Sequence, residues 1–366
     1  MRACAKLVEN RAVPRDRYAD VASAVCGRLK DKTAQVRKNA LDSVCALLAH
    51  NPFAPVLDPA PHELRADALQ AAAVADHAST VLRDRRRAEA VLAKQEDDSV
   101  VLEEVDEAQE DALQDERDKR RVELDYHVGV LRLVHTVEAS HGIIDRLARS
   151  STAAGAGGAA RVFGACRAFE LPSGKTGLRA VLRLACSSHD AVKAEAARVV
   201  AAALDVQACE TGSHKALEAA KRACSLIRGC GAVDLQCLEA LIAAAEKAAG
   251  EKKDFERVAT PKLVRALWDV AAASKVDSAT RVVACRFLAT CCSAVGSKVV
   301  DGPSLNDAAQ FVVVDESVDC ALAEALGRLV RDSKKKDLAP TCALLREALF
   351  AHDSGDGHWY GACDAV

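Results

Sequence analysis

Apolar residues recur at helical spacing along most of this chain. Between Asp31 and Phe53, Val36, Ala40, Leu41, Val44, Leu47 and Leu48 fall on one side of a helical wheel, while Arg37, Lys38, Asn39, Asp42 and Ser43 fall mostly on the other. This predicts an amphipathic helix, started at Thr33 as N-cap and stopped at Asn51-Pro52, because a residue before proline is pushed out of the α region. Upstream, Val21, Val25 and Leu29 make a second helix from Tyr18 to Leu29, and the short joint Lys30–Lys32 makes the two helices antiparallel neighbours.

The pattern continues in order. Met1–Asn10 carries Cys4, Leu7 and Val8 on one face, and no polar terminal cap of the kind that opens a solenoid precedes it. Pro52, Pro55, Pro59 and Pro61 predict an extended loop over 52–61. A helical pattern then fills 62–149, interrupted from Gln95 to Asp125 by fourteen Asp or Glu against four Lys or Arg. That composition predicts a solvated helix or a partly disordered insert. Ser150–Gly158, SSTAAGAGG, reads as a flexible linker. Over 159–366 paired helical segments recur: Leu178–Ala185 with Val192–Ala203, His214–Ile227 with Val233–Ala248, Thr260–Ala272 with Thr280–Ala294, then Leu305–Val314, Val318–Val330 and Leu338–Phe350. Val192-Lys193 occupies the place that Val36-Arg37 holds in the first pair. The expectation is all-α, an α-solenoid of HEAT/armadillo-like helical hairpins.

Composition agrees with thin helical layers. Half of the 366 residues are hydrophobic but only 3% are aromatic, and Ala, Val and Leu dominate the apolar runs. The net charge of −3 gives no global nucleic-acid signature, so any basic surface must be local. It is found in the first fifty residues, where ten Lys or Arg oppose five Asp or Glu. The fifteen cysteines contain no C-x-x-C pair and mostly occupy apolar helix positions, which predicts buried free thiols in a reducing compartment. No run is expected to be long and apolar enough to span a bilayer, and the N-terminus has no signal-peptide core.

Little in the sequence suggests chemistry. Ser173-Gly174-Lys175-Thr176 looks like the end of a phosphate-binding loop, but Phe169 stands where the first glycine belongs and no strand precedes it, so an inter-helix turn is expected. Scattered histidines and the lack of a nucleophile or carboxylate pair predict no enzyme, no metal and no cofactor. Arg37 and Lys38 pose a physical question, since positive charge at a helix N-terminus is disfavoured by roughly 0.3–1 kcal/mol. Either Asp31 and Arg37 form a hydrogen-bonded turn ladder, or Arg28, Lys30, Lys32, Arg37 and Lys38 form a patch for DNA phosphates or an acidic partner.

The stretch GRLKDKTAQVRKNALDSVCALLAHNPF, Gly27–Phe53, resembles condensin complex subunit 1, the HEAT-repeat regulatory subunit that assembles with SMC ATPases and a kleisin. A generic HEAT repeat supplies Asp31 and Val36-Arg37; the Lys-Asn-Ala followed by Asn-Pro-Phe is more specific. Further likeness lies in the helix of Tyr126–Leu147, the block from Arg161 to Leu204, Leu235–Glu239 and Ala266-Leu267-Trp268, whereas the acidic insert matches nothing in the family. The resemblance implies a non-enzymatic scaffold in mitotic chromosome condensation, with kleisin, the SMC head and DNA or chromatin as partners. It implies no membrane and no small-molecule substrate, a nuclear and chromosomal location with cytoplasm outside mitosis, and a chain that is a central fragment. The alternatives are a HEAT adaptor of transport or phosphatase scaffolding and, from another class, an enzyme using Gly174–Thr176.

Overall fold

The structure is a computed structural model that describes residues 2–53, 55–96, 107–204, 213–251, 257–273 and 275–295. Among these there is no strand. The chain divides into two compact units, 1–141 with 169–171, and 142–168 with 172–366. The helices expected after Gly302 lie outside the described residues, as do positions 97–106 of the acidic insert.

The first unit starts with α1 (Arg2–Glu9), α2 (Tyr18–Gly27) and α3 (Ala34–Ala49), the last two joined by a 3-10 turn at Arg28–Lys30. Most of the apolar stripe read from the sequence is buried: Leu41, Val44 and Leu48 are 0% exposed and Val25 and Leu29 1%, while Val21 and Val36 are only half-buried. α3 packs on α1, α2 and the 3-10 turn. Tyr18 adds a polar tie, its hydroxyl donating to the Leu47 carbonyl at 2.8 Å. Asn51 closes α3 with its side chain, donating from Nδ2 to the Leu48 carbonyl and accepting at Oδ1 from the Phe53 amide.

Two long helices follow, α4 (Pro59–Glu96) and α5 (Glu107–Glu138). The extended loop therefore ends at Pro59, with Pro59 and Pro61 inside the first turn of α4, where a missing N–H costs nothing. Residues 107–125 of the acidic insert are helical and form the first half of α5. Their charges remain near water and are partly matched by α4: Arg120 meets Asp76 at 2.7 Å, Glu123 meets Arg65 at 2.6 Å, and Arg117 donates to Thr80 at 2.8 Å. α5 also packs on α2, and its Val130, Leu133, Val134 and Val137 are buried.

The second unit contains α6 (His141–Ala148), α7 (Ala153–Ala168), α8 (Pro172–Leu182), α9 (Asp190–Ala203), α10 (Ser213–Ile227), α11 (Ala232–Glu251), α12 (Pro261–Ala272) and α13 (Ser278–Val295). The packing pairs are those of stacked hairpins. The second helices touch in sequence, α9 on α11 and α11 on α13, while α10 lies on α12 in the other layer and α12 closes on α13. This is the all-α, helical-solenoid class expected from the periodicity.

The structure corrects three expectations in this unit. Of the flexible linker expected at 150–158, residues 153–158 are instead the start of α7, whose Gly155, Ala156, Gly157 and Gly158 are buried, and only 150–152 connect helices. Small residues here serve close helix packing, and that burial offsets the weak helix propensity of glycine. Ser173–Thr176 is not an inter-helix turn but the first turns of α8. A Cβ on Gly174 would lie 2.4 Å from the Arg167 amide nitrogen, and one on Gly177 would lie 2.2 Å from the Phe163 ring. The glycine of this motif is thus required by the α7–α8 crossing. Finally, α13 does have the length and apolar composition of a bilayer-crossing helix. It packs against α10, α11 and α12 with Ala284, Phe287 and Leu288 at 0% exposure, as a core helix does.

The packing of α3 yields a direct expectation. Leu41→Ala should lower the stability to denaturant by about 2–5 kcal/mol, because the fully buried side chain leaves a cavity. A change near zero would mean that α3 is not held as a packed hairpin.

Candidate interaction site

The basic candidates lie at the joint of the first hairpin. Arg28 and Lys30 belong to the 3-10 turn, Lys32 precedes the Thr33 N-cap, and Arg37 and Lys38 lie one turn inside α3. The structure separates them by role. Arg37 is half-buried, and its Nη1 donates to the main-chain carbonyls of Asp31 and Lys32, both at 2.8 Å. These bonds answer the question of a cation at a helix N-terminus: the guanidinium is held by two carbonyl dipoles just before the helix. Asp31 and Arg37 do meet, through the Asp31 carbonyl rather than its carboxylate. The carboxylate instead accepts from the Thr33 amide at 2.9 Å and lies 3.7 Å from Arg28. Thr33 occupies the N-cap with extended dihedrals but its hydroxyl makes no capping bond. Asp31 supplies the turn chemistry expected of Thr33.

Lys30, Lys32 and Lys38 remain exposed and carry no ion pair among the described residues. The second unit varies the theme. Lys193, in the place of Arg37, pairs with Asp190 at 3.6 Å in the first turn of α9. At α13, Asp277 caps the helix by accepting from the Thr280 amide at 2.9 Å and its hydroxyl at 2.6 Å, bonds that hold its carboxyl below the usual range. Arg281 there donates from Nε to the Ala271 carbonyl at 2.9 Å, so a basic side chain again fastens a helix start to the preceding backbone.

Sequence reasoning missed a cluster where α2, the loop after α3, and the α4–α5 pair come together. The Arg15 guanidinium lies 4.5 Å from the Tyr126 ring centroid and 5.3 Å from that of Phe53. Phe53 packs edge-on against Tyr18 at 6.1 Å and Tyr126 at 6.0 Å. Beside them, Nδ1 of His62 and Nδ1 of His127 stand 2.8 Å apart, a distance that needs one of the two atoms to be an acceptor. Burial and the adjacent His62 hold the pKa of His127 below its ordinary value, although Glu123, 3.9 Å from its Nε2, pulls the other way. Arg65, through its hydrogen bond, holds the Glu123 carboxyl down. Burial raises the Tyr18 phenol. The scarcity of aromatics was the available signal, since two of the chain's three tyrosines meet here.

No group of three or more His, Cys, Asp or Glu able to hold a metal occurs among the described residues. Cys26, Cys166, Cys224, Cys237, Cys285 and Cys291 are buried, and burial lifts the Cys224 thiol to about 12. Cys186 is the exposed exception among the described cysteines.

No protein-family model matches the chain. A stretch of 53 residues is 47% identical to a condensin-1 complex subunit, CAP-D2, of Arabidopsis thaliana; it covers 14% of this chain and 4% of the length of that protein. Among solved structures, an engineered protein from a structural genomics consortium aligns over 100% of this chain and 93% of its own, with 14% identity. Its TM-score of 0.27 supports no argument about fold or function.

His127 makes the first unit sensitive to acid. His127 titrates below 6.5 when folded, so the unfolded chain binds more protons and stability falls as the pH drops through about 6.5. The Glu123 contribution is lost at lower pH, as the solution passes below 4.5 toward its depressed folded value. The urea midpoint of the first unit should therefore fall between pH 7.5 and pH 5.5, and His127→Gln should flatten that slope. An unchanged slope in the variant would place the acid sensitivity elsewhere.

Proposed function

We propose that this chain is a non-enzymatic scaffold segment of a condensin-type assembly. The observation that carries the reading is the stretch 47% identical to a condensin-1 subunit. Helical hairpins that bury their stripes on one another leave long outer faces suited to a peptide or a duplex, which accords with a scaffold. On this reading the partners are a kleisin and the SMC ATPase head, the target is chromatin, and the location is the nucleus and chromosome. Co-purification of the full chain with the kleisin subunit from dividing cells tests it; recovery with vesicle-coat or phosphatase subunits instead would favour another HEAT adaptor.

DNA contact is assigned to Lys30, Lys32 and Lys38, the exposed part of the basic joint. Arg28 lies 3.7 Å from the Asp31 carboxylate and Arg37 is bonded to backbone carbonyls, so these two are engaged within the turn while the three lysines are not. Lysine–phosphate contacts release counterions and carry no base readout. Changing Lys30, Lys32 and Lys38 together to Glu should weaken binding to all duplexes alike and reduce the logarithmic salt slope by about one per lost contact. Unchanged binding at low salt, with helicity intact, would remove this patch.

A further inference from the structure

Two thiols from separate hairpins of the second unit meet beside α11. Cys186 ends the 3-10 turn Arg183–Cys186 that follows α8, and Cys237 lies in the second turn of α11. The 3-10 turn packs on α11, and the Arg183 guanidinium comes within 3.9 Å of the Asp234 carboxylate, less than one turn before Cys237. The Cys186 and Cys237 side chains are in hydrogen-bonding contact. They differ in access: Cys186 is exposed, whereas Cys237 is only 5% exposed.

That difference matches the two roles in thiol–disulfide exchange. One thiol must be open to a disulfide arriving from solution, and a second must stand where it can displace the adduct so formed. Cys186 meets the first requirement. Cys237 meets the second, because its sulfur is shielded from solution yet lies against that of Cys186. Burial, Cys186 itself and Asp234 push the Cys237 thiol up, while Arg183 pulls it down. Cys237 is therefore a poor nucleophile toward outside partners, and its reaction with a neighbour already in place depends on proximity instead.

We propose that Cys186 and Cys237 form a reversible disulfide site whose oxidant is a small disulfide of the glutathione class. The Cys186 thiol gives its proton to water and attacks one sulfur of R–S–S–R; a Cys186–glutathione disulfide forms, and the departing thiolate takes up a proton. Cys237 then loses its proton and attacks the Cys186 sulfur, which forms the internal disulfide and releases the second small thiol. Two protein thiols lose two electrons, and one small disulfide becomes two thiols. The bond joins the turn after α8 to α11, across the same stack in which α9 packs on α11. In a reducing compartment it is transient, formed when the small disulfide accumulates and reopened by excess thiol.

Incubating the full chain with oxidised glutathione, alkylating the remaining thiols and mapping peptides by mass without reduction tests this. Peptides joined through Cys186 and Cys237 should exceed those carrying glutathione on Cys186 by at least about tenfold, since the second step is intramolecular. Dithiothreitol should reverse the link. Cys237→Ala should leave the glutathione adduct standing on Cys186, and Cys186→Ser, a change at an exposed position, should remove both products with helicity by circular dichroism unchanged. A lasting glutathione adduct on Cys186 in the unsubstituted chain would overturn the proposal. So would preferential linkage of either cysteine to a different thiol, or no reaction at Cys186. These readings come from the unsubstituted chain and do not depend on the folding of either variant.

Discussion

The constraint behind most of this structure is that each helix must bury one apolar stripe against a neighbouring helix. With so few large aromatic side chains, no single bulky core forms, and stability accumulates pair by pair. The α2–α3 hairpin shows the unit step: Leu41, Val44, Leu47 and Leu48 vanish from solvent, and the Tyr18 hydroxyl ties to the Leu47 carbonyl. The second unit repeats it with smaller residues, down to the α7–α8 crossing, where Phe163 lies over Gly177 and no side chain larger than hydrogen fits.

The same constraint explains the polar fasteners. A helix start leaves N–H groups and nearby turn carbonyls to satisfy, and the chain answers with basic and acidic side chains rather than with hydroxyl caps alone. Arg37 reaches back to the carbonyls of Asp31 and Lys32; Arg281 reaches back to Ala271; Asp277 and Thr280 cap α13. Charges that look on the sequence like one basic patch are therefore divided between structure and surface. Arg37 holds a turn, while Lys30, Lys32 and Lys38 face solvent.

α4 is where the constraint is met on one side only. Its inner side is matched by α5 through mixed apolar and charged contacts, while its outer side exposes Leu64, Val74 and Leu82. At the foot of the same pair the aromatic cluster and the His62–His127 contact fix where α4 and α5 leave the hairpin before them. The first unit thus combines a helical hairpin built by burial with a joint held by edge-on ring contacts and the His62–His127 contact.

By itself the sequence determined the helical class, the α2–α3 hairpin and most of the large apolar residues it buries, because periodicity at positions such as Leu41 and Val44 is local information that helix geometry converts directly into a face. It also determined where the excess positive charge lies. Only the tertiary structure decided what depends on contacts between distant positions. Glycines in 150–158 could be linker or crossing until α8 and α9 were seen to pack on α7. Gly174 could belong to a phosphate loop until the Arg167 backbone was found beside it. Arg15, the Phe53–His62 stretch and Tyr126 are far apart along the chain, and nothing local says that they meet. Composition reports what a segment can do alone, whereas burial and pairing are set by neighbours that folding brings from elsewhere.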